Sequence, residues 1–163
     1  MRLSIASWNI NSVRLRIDLV LRFLAEQKPD VLCLQETKCP DDAFPLKALR
    51  GSGYEHVMFA GQKGYNGVAI LSRLGFTGTP EIIQDLEEPL SIPFQPLRGM
   101  EGTQDAGHYV LRRLSRPVIK ARIPMGGQTV TVFNCHLKSK LGEYIKPDGA
   151  AYAPEEDLTR YDP

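Results

Sequence analysis

Three features are missing from the sequence, and each absence argues against a class of protein. No run of about 18 apolar residues is present, so the sequence predicts no membrane span and no membrane partner. The first residues lead directly into a β-like pattern, without the basic start and apolar stretch of a secretory signal peptide, so we expect a cytoplasmic protein. Cys33, Cys39 and Cys135 are odd in number and lack CxxC spacing, which argues against a disulfide framework and a cysteine zinc site.

Neither sign of charge is in large excess. The 20 Lys and Arg side chains are balanced by 19 Asp and Glu side chains, which gives a net charge of +1. The apolar and charged fractions, 42% and 24%, are those of an ordinary globular protein and exclude a disordered or collagen-like chain. A length of 163 residues suits one domain, so we expect residues 1–163 to belong to a single domain.

The amino-terminal part of the chain has the pattern of a β-α-β unit. Residues 3–9 suit a strand, and apolar residues at helical spacing from Val13 onward predict a helix that Pro29 ends. Residues 31–34 are apolar throughout and predict a buried strand after the helical crossover. The sequence further predicts a short helix at 44–51, strands at 54–60 and 67–72, and a glycine-rich turn at 61–64.

The middle of the chain is predicted to be a long loop over about residues 75–107, because glycine and proline interrupt it at short intervals. A loop of that length in a compact domain is either functional or marks an insertion or a junction. Strands are expected again at 108–114, 117–123 and 129–135, and residues from 141 onward predict no regular element.

The near-zero net charge conceals an uneven distribution. Residues 81–105 contain six acids and one base, whereas residues 106–142 contain seven bases and no acid. The basic segment has the composition of a surface for a polyanion such as a nucleic-acid backbone. On charge alone we favour the alternative, a solvated face that the acidic segment balances.

Polar residues follow three of the predicted strands, where an α/β sheet presents side chains to a ligand. The first group is Asn9 and Asn11, carboxamides that project to one side of the first strand, with Arg14 at the expected helix start, which favours anions. An equally good interpretation makes Asn11 the cap of that helix.

The second group contains Glu36 and Lys38, directly after the buried strand. A carboxylate in that position requires a cationic partner. Mg²⁺ suits it, because this ion binds one or two carboxylates together with phosphate oxygens. A neighbouring Lys or Arg is the alternative partner for Glu36.

The third group follows the strand at 129–135 and contains His136, Lys138 and Lys140. A histidine at this position can donate a hydrogen bond to a phosphate oxygen, and the two lysines can hold the flanking charges. The alternative is a histidine with a purely structural role, which is the commoner case for a single histidine at a strand end.

Residues 1–73 carry a family resemblance. The segments WNINSVR, DVLCLQETK and GYEHVMFAGQKGYNGVAILSR, in this order and spacing, resemble the amino-terminal half of exonuclease III-type enzymes of the endonuclease/exonuclease/phosphatase superfamily. The resemblance implies an α/β fold, a two-sheet α/β sandwich of the deoxyribonuclease I-like kind. It also implies Mg²⁺-dependent phosphodiester hydrolysis, with Mn²⁺ as a substitute, on DNA that is damaged or contains abasic sites. The family's intact members are monomers.

The resemblance also assigns roles to residues. It implies a catalytic and metal-binding group, with Glu36 as the metal-binding carboxylate, Asn9 as a catalytic polar residue and Asn11 as a metal ligand. It implies phosphate or DNA contacts at four further positions: Arg14, Lys38, Tyr65 and Asn66.

Residues 98–163 resemble a different branch of the same superfamily. LSRPVIKARI and TVTVFNCHLKSK are similar to deoxyribonuclease I-like and phosphatase-like members, in which a histidine at the position of His136 helps to bind the scissile phosphate. The change of branch falls in the predicted long loop, so we expect either a hybrid of two related sequences or a divergent member. A phosphoesterase with a substrate other than DNA is therefore an alternative function.

Two segments that the resemblance implies, GDxN and an SDH-like motif, do not occur in the sequence. In the family they supply an activating Asp and a second His, and single acid–base groups typically contribute about 10² to 10⁴ in rate. We therefore expect a sandwich that is incomplete at its carboxyl terminus and has impaired catalysis. A non-catalytic remnant or nucleic-acid-binding module is the remaining alternative.

Overall fold

The computed structural model describes residues 2–93 and 108–137, which form two sheets and two α-helices. In chain order the elements are β1 (Ile5–Asn9), α1 (Ile17–Gln27), β2 (Val31–Gln35), a 3₁₀ turn (Asp41–Ala43), α2 (Leu46–Gly51), β3 (His56–Ala60), β4 (Val68–Ser72), β5 (Glu81–Pro93), β6 (His108–Met125) and β7 (Gln128–Asn134). The first sheet has the order β1-β2-β4-β3, with β1 parallel to β2 and the other pairs antiparallel. The second sheet, β5-β6-β7, is antiparallel. The predicted two-sheet α/β sandwich is confirmed.

Strand β2 is buried on both faces, and its alternation explains how the layers pack. Val31 and Cys33 belong to the apolar cluster shared with the second sheet. Leu32 and Leu34 belong to the cluster shared with the helices. The first sheet is therefore the middle layer between the helices and the second sheet, which is why its central strands are apolar throughout.

Helix α1 begins at Ile17 and not at Val13, so the predicted helix start is wrong. Asn11 and Ser12 have positive φ values of 47° and 88°, which a helix does not allow. The backbone N–H groups of Ser12 and Val13 instead donate to carbonyls of the segment that follows β2. This segment extends the pairing of β1 with β2, and Arg16 takes the N-cap position that Asn11 was a candidate for.

Helix α1 ends before Pro29, as predicted, and buries Val20 and Leu24. Lys28 closes the helix in the left-handed conformation, with φ of 47°, and its N–H donates to the carbonyl of Leu24 at 3.2 Å. Neither α1 nor α2, the α-helices of the part of the chain that the structure describes, is long and apolar enough to cross a membrane.

The predicted loop over residues 75–107 is wrong for residues 81–93, which form β5. This strand pairs with β6 in the second sheet, and residues 94–107 lie outside the described residues. The sequence of β5 does not show the pattern of a strand. Proline and four acids interrupt the apolar alternation that is expected for a half-exposed strand at a sheet edge.

The two strands expected at 108–114 and 117–123 are one strand, β6. Pro117 is accommodated because the register slips between the pairs Ile83–Val118 and Asp85–Arg113, which leaves extra residues on β6. A bulge of this kind tolerates proline, because the residues in it do not donate to the ladder.

Candidate active site

The candidate site lies at one edge of the sandwich. Strands β1 and β2 run parallel and end together at the paired residues Asn9 and Gln35. Backbone pairing continues beyond them, because the N–H of Ile10 donates to the carbonyl of Gln35 at 2.9 Å and the N–H of Thr37 donates to that of Gly67 at 3.2 Å. Strand β7 ends at the same edge, where Asn134 hydrogen-bonds to Gln35. Residues that follow three strands therefore converge there.

Glu36 is the centre of this convergence. Its Oε2 lies 3.2 Å from Lys38 Nζ and its Oε1 lies 3.4 Å from His136 Nε2. The Asn9 side chain is close enough to lower the pKa of Glu36. Lys38 Nζ also donates to Asn11 Oδ1 at 2.5 Å. The structure thus brings together five of the predicted site residues. The contact between Lys38 and Glu36 also agrees with the alternative interpretation, in which a neighbouring lysine is the partner of Glu36.

The backbone at Glu36 explains how its carboxylate reaches the second sheet. The side chain of Gln35 faces that sheet, and in an extended strand the next side chain would point to the opposite face. Glu36 instead has φ of 53°, and Lys38 has φ of 48°. The left-handed conformation costs about 1 to 2 kcal/mol at a residue with a side chain. Such strain is typical of functional sites, where the surrounding structure maintains it.

The electrostatic surroundings keep Glu36 ionised. Burial acts to raise the pKa of Glu36, but the hydrogen bond and charge of Lys38, the hydrogen bond of Asn9 and the charge of His136 together outweigh it. The pKa of Glu36 consequently lies below its ordinary value of 4.5. At neutral pH the site therefore presents a carboxylate next to a lysine ammonium group.

The surroundings of His136 disfavour its charged form. Burial lowers the pKa of His136 below 6.5, the charges of Arg116 and Lys38 lower it further, and Glu36 acts in the opposite direction. Its Nδ1 is buried and has no hydrogen-bond partner among the described residues. The Arg116 guanidinium donates to the carbonyls of His136 at 3.2 Å and Leu137 at 2.9 Å. This contact fixes the chain where β7 ends.

The donor atoms of the site suit a hard divalent cation. Within residues 2–93 and 108–137, no three Asp, Glu, His or Cys side chains come together as a metal-binding cluster. The site offers one carboxylate, Glu36, with the amide side chains of Asn9 and Asn11 beside it. One carboxylate is sufficient for an ion that also binds water and substrate phosphate, and oxygen donors suit both Mg²⁺ and Mn²⁺.

The profile of the Endonuclease/Exonuclease/phosphatase family matches residues 6–152. The chain belongs to this family. Exodeoxyribonuclease III of Haemophilus influenzae is 43% identical to it over 67 residues, which are 41% of this chain and 25% of that protein. The resemblance to exonuclease III-type enzymes that the motifs predict is thereby confirmed.

Solved structures of the family extend the similarity. An AP endonuclease from Archaeoglobus fulgidus is 34% identical with a TM-score of 0.51, and the match covers 80% of this chain and 40% of that chain. A 3'-5' exonuclease (NExo) from Neisseria meningitidis is 34% identical with a TM-score of 0.52, covering 79% and 40%. The chain thus spans a quarter of the curated relative and two fifths of these two structures.

In this member of the Endonuclease/Exonuclease/phosphatase family, the turn before β4 contacts the site through its main chain. The carbonyl of Asn66 accepts a hydrogen bond from the N–H of Lys38 at 2.9 Å, and Asn66 Nδ2 donates to Gln62 Oε1 at 3.0 Å. Tyr65 is 64% exposed at the tip of the same turn. Asn66 therefore joins the site, whereas Tyr65 presents an aromatic ring to solvent.

The remaining predicted residues are placed less directly. Arg14 is exposed and precedes α1, so the expected position of Arg14 at a helix start is wrong. Lys138 and Lys140 lie outside the described residues. In the predicted basic segment, two bases pair with residues of the acidic segment: Lys120 with Glu81 at 3.1 Å and Arg113 with Asp85 at 3.4 Å. These pairs support the interpretation that the acids balance the bases.

Sequence reasoning missed several residues that shape the site, namely Gln35, Asn134, Thr37, Arg16 and Arg116. Gln35 and Asn134 hydrogen-bond to each other, Arg16 donates to the carbonyl of Asn11, and Thr37 is fully buried. A carboxamide at the end of an apolar strand, close to a predicted site residue, is the sequence signal for the first two.

Proposed function

We propose that the protein hydrolyses phosphodiester bonds in DNA with Mg²⁺, as an enzyme of the exodeoxyribonuclease III or abasic-site endonuclease type. The observation that supports this proposal is the position of Glu36 between Lys38 Nζ, at 3.2 Å, and His136 Nε2, at 3.4 Å. The carboxylate supplies oxygen ligands for a cation, and the two nitrogen groups supply hydrogen-bond donors for phosphate oxygens. The similarity to an exodeoxyribonuclease III, an AP endonuclease and a 3'-5' exonuclease also supports it.

In this proposal each residue has a defined task. Glu36 and Asn11 hold Mg²⁺ or Mn²⁺, and the bound ion supplies positive charge that offsets the charge of the phosphoryl oxygens. Lys38 and His136 donate hydrogen bonds to the non-bridging oxygens. Asn9, whose side chain helps to lower the pKa of Glu36, favours the ionised carboxylate that binds the cation. Damaged or abasic duplex DNA is the proposed substrate.

Cleavage of an end-labelled duplex with one abasic site tests this activity. We expect the purified protein to cleave it slowly in Mg²⁺ and not in EDTA. Glu36→Gln lowers the rate by at least about 10²-fold, because it removes the carboxylate that the proposal assigns to the cation. Glu26→Gln is the matched control, since Glu26 is exposed on α1 and, among the residues that the structure describes, forms an ion pair only with Arg22, 3.9 Å away. Cleavage that persists in EDTA, or in Glu36→Gln, refutes the proposal.

Binding of the cation is tested without turnover. Mn²⁺ broadens the nuclear magnetic resonance signals of nearby amides, so small additions should first broaden those of Asn11, Thr37 and Lys38. We expect this selective broadening to disappear in Glu36→Gln and to persist in Glu26→Gln. Broadening spread evenly over exposed acids would show that Glu36 is not the metal-binding carboxylate.

A further inference from the structure

Two buried carboxamides join the two sheets next to the candidate site. Gln35 ends β2 and is 9% exposed, and Asn134 ends β7 and is 2% exposed. Gln35 Nε2 donates to Asn134 Oδ1 at 2.7 Å. Asn134 Nδ2 donates to two main-chain carbonyls of the first sheet, that of Leu34 on β2 at 2.9 Å and that of Ala69 on β4 at 2.7 Å. Three hydrogen bonds therefore fix the Asn134 side chain to the opposite sheet.

These hydrogen bonds differ in kind from the contacts around them. The interface between the sheets is otherwise built from apolar side chains such as Ile70, Ile119 and Val132. Apolar packing has no preferred direction and tolerates a small sliding of one sheet over the other. A hydrogen bond weakens steeply when its geometry changes. Because Asn134 must reach a carbonyl on β2 and one on β4 together, it fixes where β7 ends on the first sheet.

The position where β7 ends decides where His136 lies. Side chains two apart on an extended chain project to the same face, so His136 follows Asn134 toward the first sheet. Glu36 directly follows Gln35, and His136 Nε2 lies 3.4 Å from Glu36 Oε1. Gln35 is therefore one residue away from Glu36, and Asn134 is two residues away from His136.

We propose that Asn134 and Gln35 are positioning residues that hold His136 at its working distance from Glu36. This inference rests on the proposed hydrolytic function of the Glu36–His136 site. A misplacement of about 1 Å in a reacting group costs about 10²-fold in rate. Loss of the pair therefore lowers kcat by about that factor. The KM for DNA changes less than kcat, because the other groups proposed to contact the phosphate backbone are still present.

Three variants separate positioning from stability. Asn134→Leu removes all three hydrogen bonds of the Asn134 side chain. Gln35→Leu removes the bond between the carboxamides and leaves the two bonds from Asn134 to the main chain, but it also removes the hydrogen bonds from Gln35 Nε2 to Ser7 Oγ and to the Cys33 carbonyl. The double variant replaces both partners by apolar groups, which restores part of the stability that a single change loses by leaving a buried partner unsatisfied. Val132→Ala is the matched control, because it removes packing from the same strand and leaves the carboxamide pair intact.

The first measurement needs no activity. In the wild type we expect a nuclear Overhauser effect between the His136 ring and the Glu36 side chain, and we expect Val132→Ala to keep it. Asn134→Leu and the double variant lose it. In the cleavage assay the same two variants lose kcat, at a temperature where each is folded. A double variant that regains stability, the Overhauser effect and kcat together refutes positioning and leaves a purely structural role.

The design keeps the two proposals apart. If the wild type cleaves no phosphodiester, the proposed function fails, while the Overhauser effect still decides whether the carboxamides position His136. If Asn134→Leu does not fold, Gln35→Leu is tested against the same criterion. An Overhauser effect and a kcat that remain at wild-type values in a folded Gln35→Leu variant then overturn the inference.

Discussion

The contact between Gly67 and Thr37 supports a sharp prediction about the backbone of the site. The N–H of Thr37 donates to the carbonyl of Gly67 at 3.2 Å, and Thr37 lies between Glu36 and Lys38 in the chain. Gly67 has φ of +86°, and a Cβ built there overlaps Thr37 Oγ1. Gly67→Ala therefore introduces both backbone strain and a steric overlap directly beside the candidate site.

The magnitude follows from these two terms. A positive φ at a residue with a Cβ costs about 1 to 2 kcal/mol, and overpacking in a tightly packed position costs about 1 to 3 kcal/mol. We expect Gly67→Ala to lower the free energy of unfolding by about 2 to 5 kcal/mol. Without Thr37 Oγ1, the nearest atoms to the added Cβ are Thr37 Cβ at 3.4 Å and the Ala60 carbonyl oxygen at 3.5 Å, which are ordinary contacts. Thr37→Ala should therefore remove the overlap and leave only the strain.

A double-mutant cycle measures this difference, with urea unfolding followed by the fluorescence of Trp8. Trp8 is the single tryptophan, and its ring centroid is 5.5 Å from that of Phe23, so its emission reports on the packing of β1 and α1. In a Thr37→Ala background the cost of Gly67→Ala should fall by about 1 to 3 kcal/mol. In a Thr37→Val background it should not fall, because valine keeps a methyl group where the hydroxyl was.

Thr37→Val is informative alone. The Thr37 hydroxyl is buried and has no hydrogen-bond partner among the described residues, so we expect this substitution to be neutral or stabilising. A cost of Gly67→Ala that is equal in all three backgrounds would show that the overlap does not matter. A total cost below about 1 kcal/mol would refute both terms.

Three further predictions concern stability and reactivity. The hydrogen bonds from Ser4 and the ion pair with Arg73 outweigh burial and hold the pKa of Asp30 below 3.8. This contribution to stability is present above pH 3.8 and is lost as the pH falls through the lowered pKa, so urea unfolding of the wild type and Asp30→Asn should converge in acid. Lys28→Gly should raise the free energy of unfolding by about 1 kcal/mol, because glycine takes the left-handed helix end without strain, and unchanged stability contradicts this. Burial raises the pKa of Cys33 to about 11, so its thiol should resist a thiol reagent in the native protein and react when urea unfolds it.

Several elements are predicted well because their signals are local. The apolar stripe of α1, the stop at Pro29 and the apolar run of β2 depend on residues that are close in the chain. The polar groups that follow β1, β2 and β7 are predicted for the same reason, since each stands where a strand pattern ends. Strand β5 and the continuity of β6 are missed because their pairing is long-range, and proline, acids and a bulge interrupt the local alternation.

Local sequence patterns identify which residues are candidates for the site and in what order the first elements occur. The three-dimensional fold alone shows that Glu36 turns through a positive φ toward His136, and that Ser12 and Val13 pair with the continuation of β2 while Arg16 takes the N-cap of α1. It also decided that Gln35 and Asn134 meet across the sheets. The physical reason is that local patterns report burial and period. The distance between two side chains from different sheets depends on packing and hydrogen bonds between residues far apart in the chain.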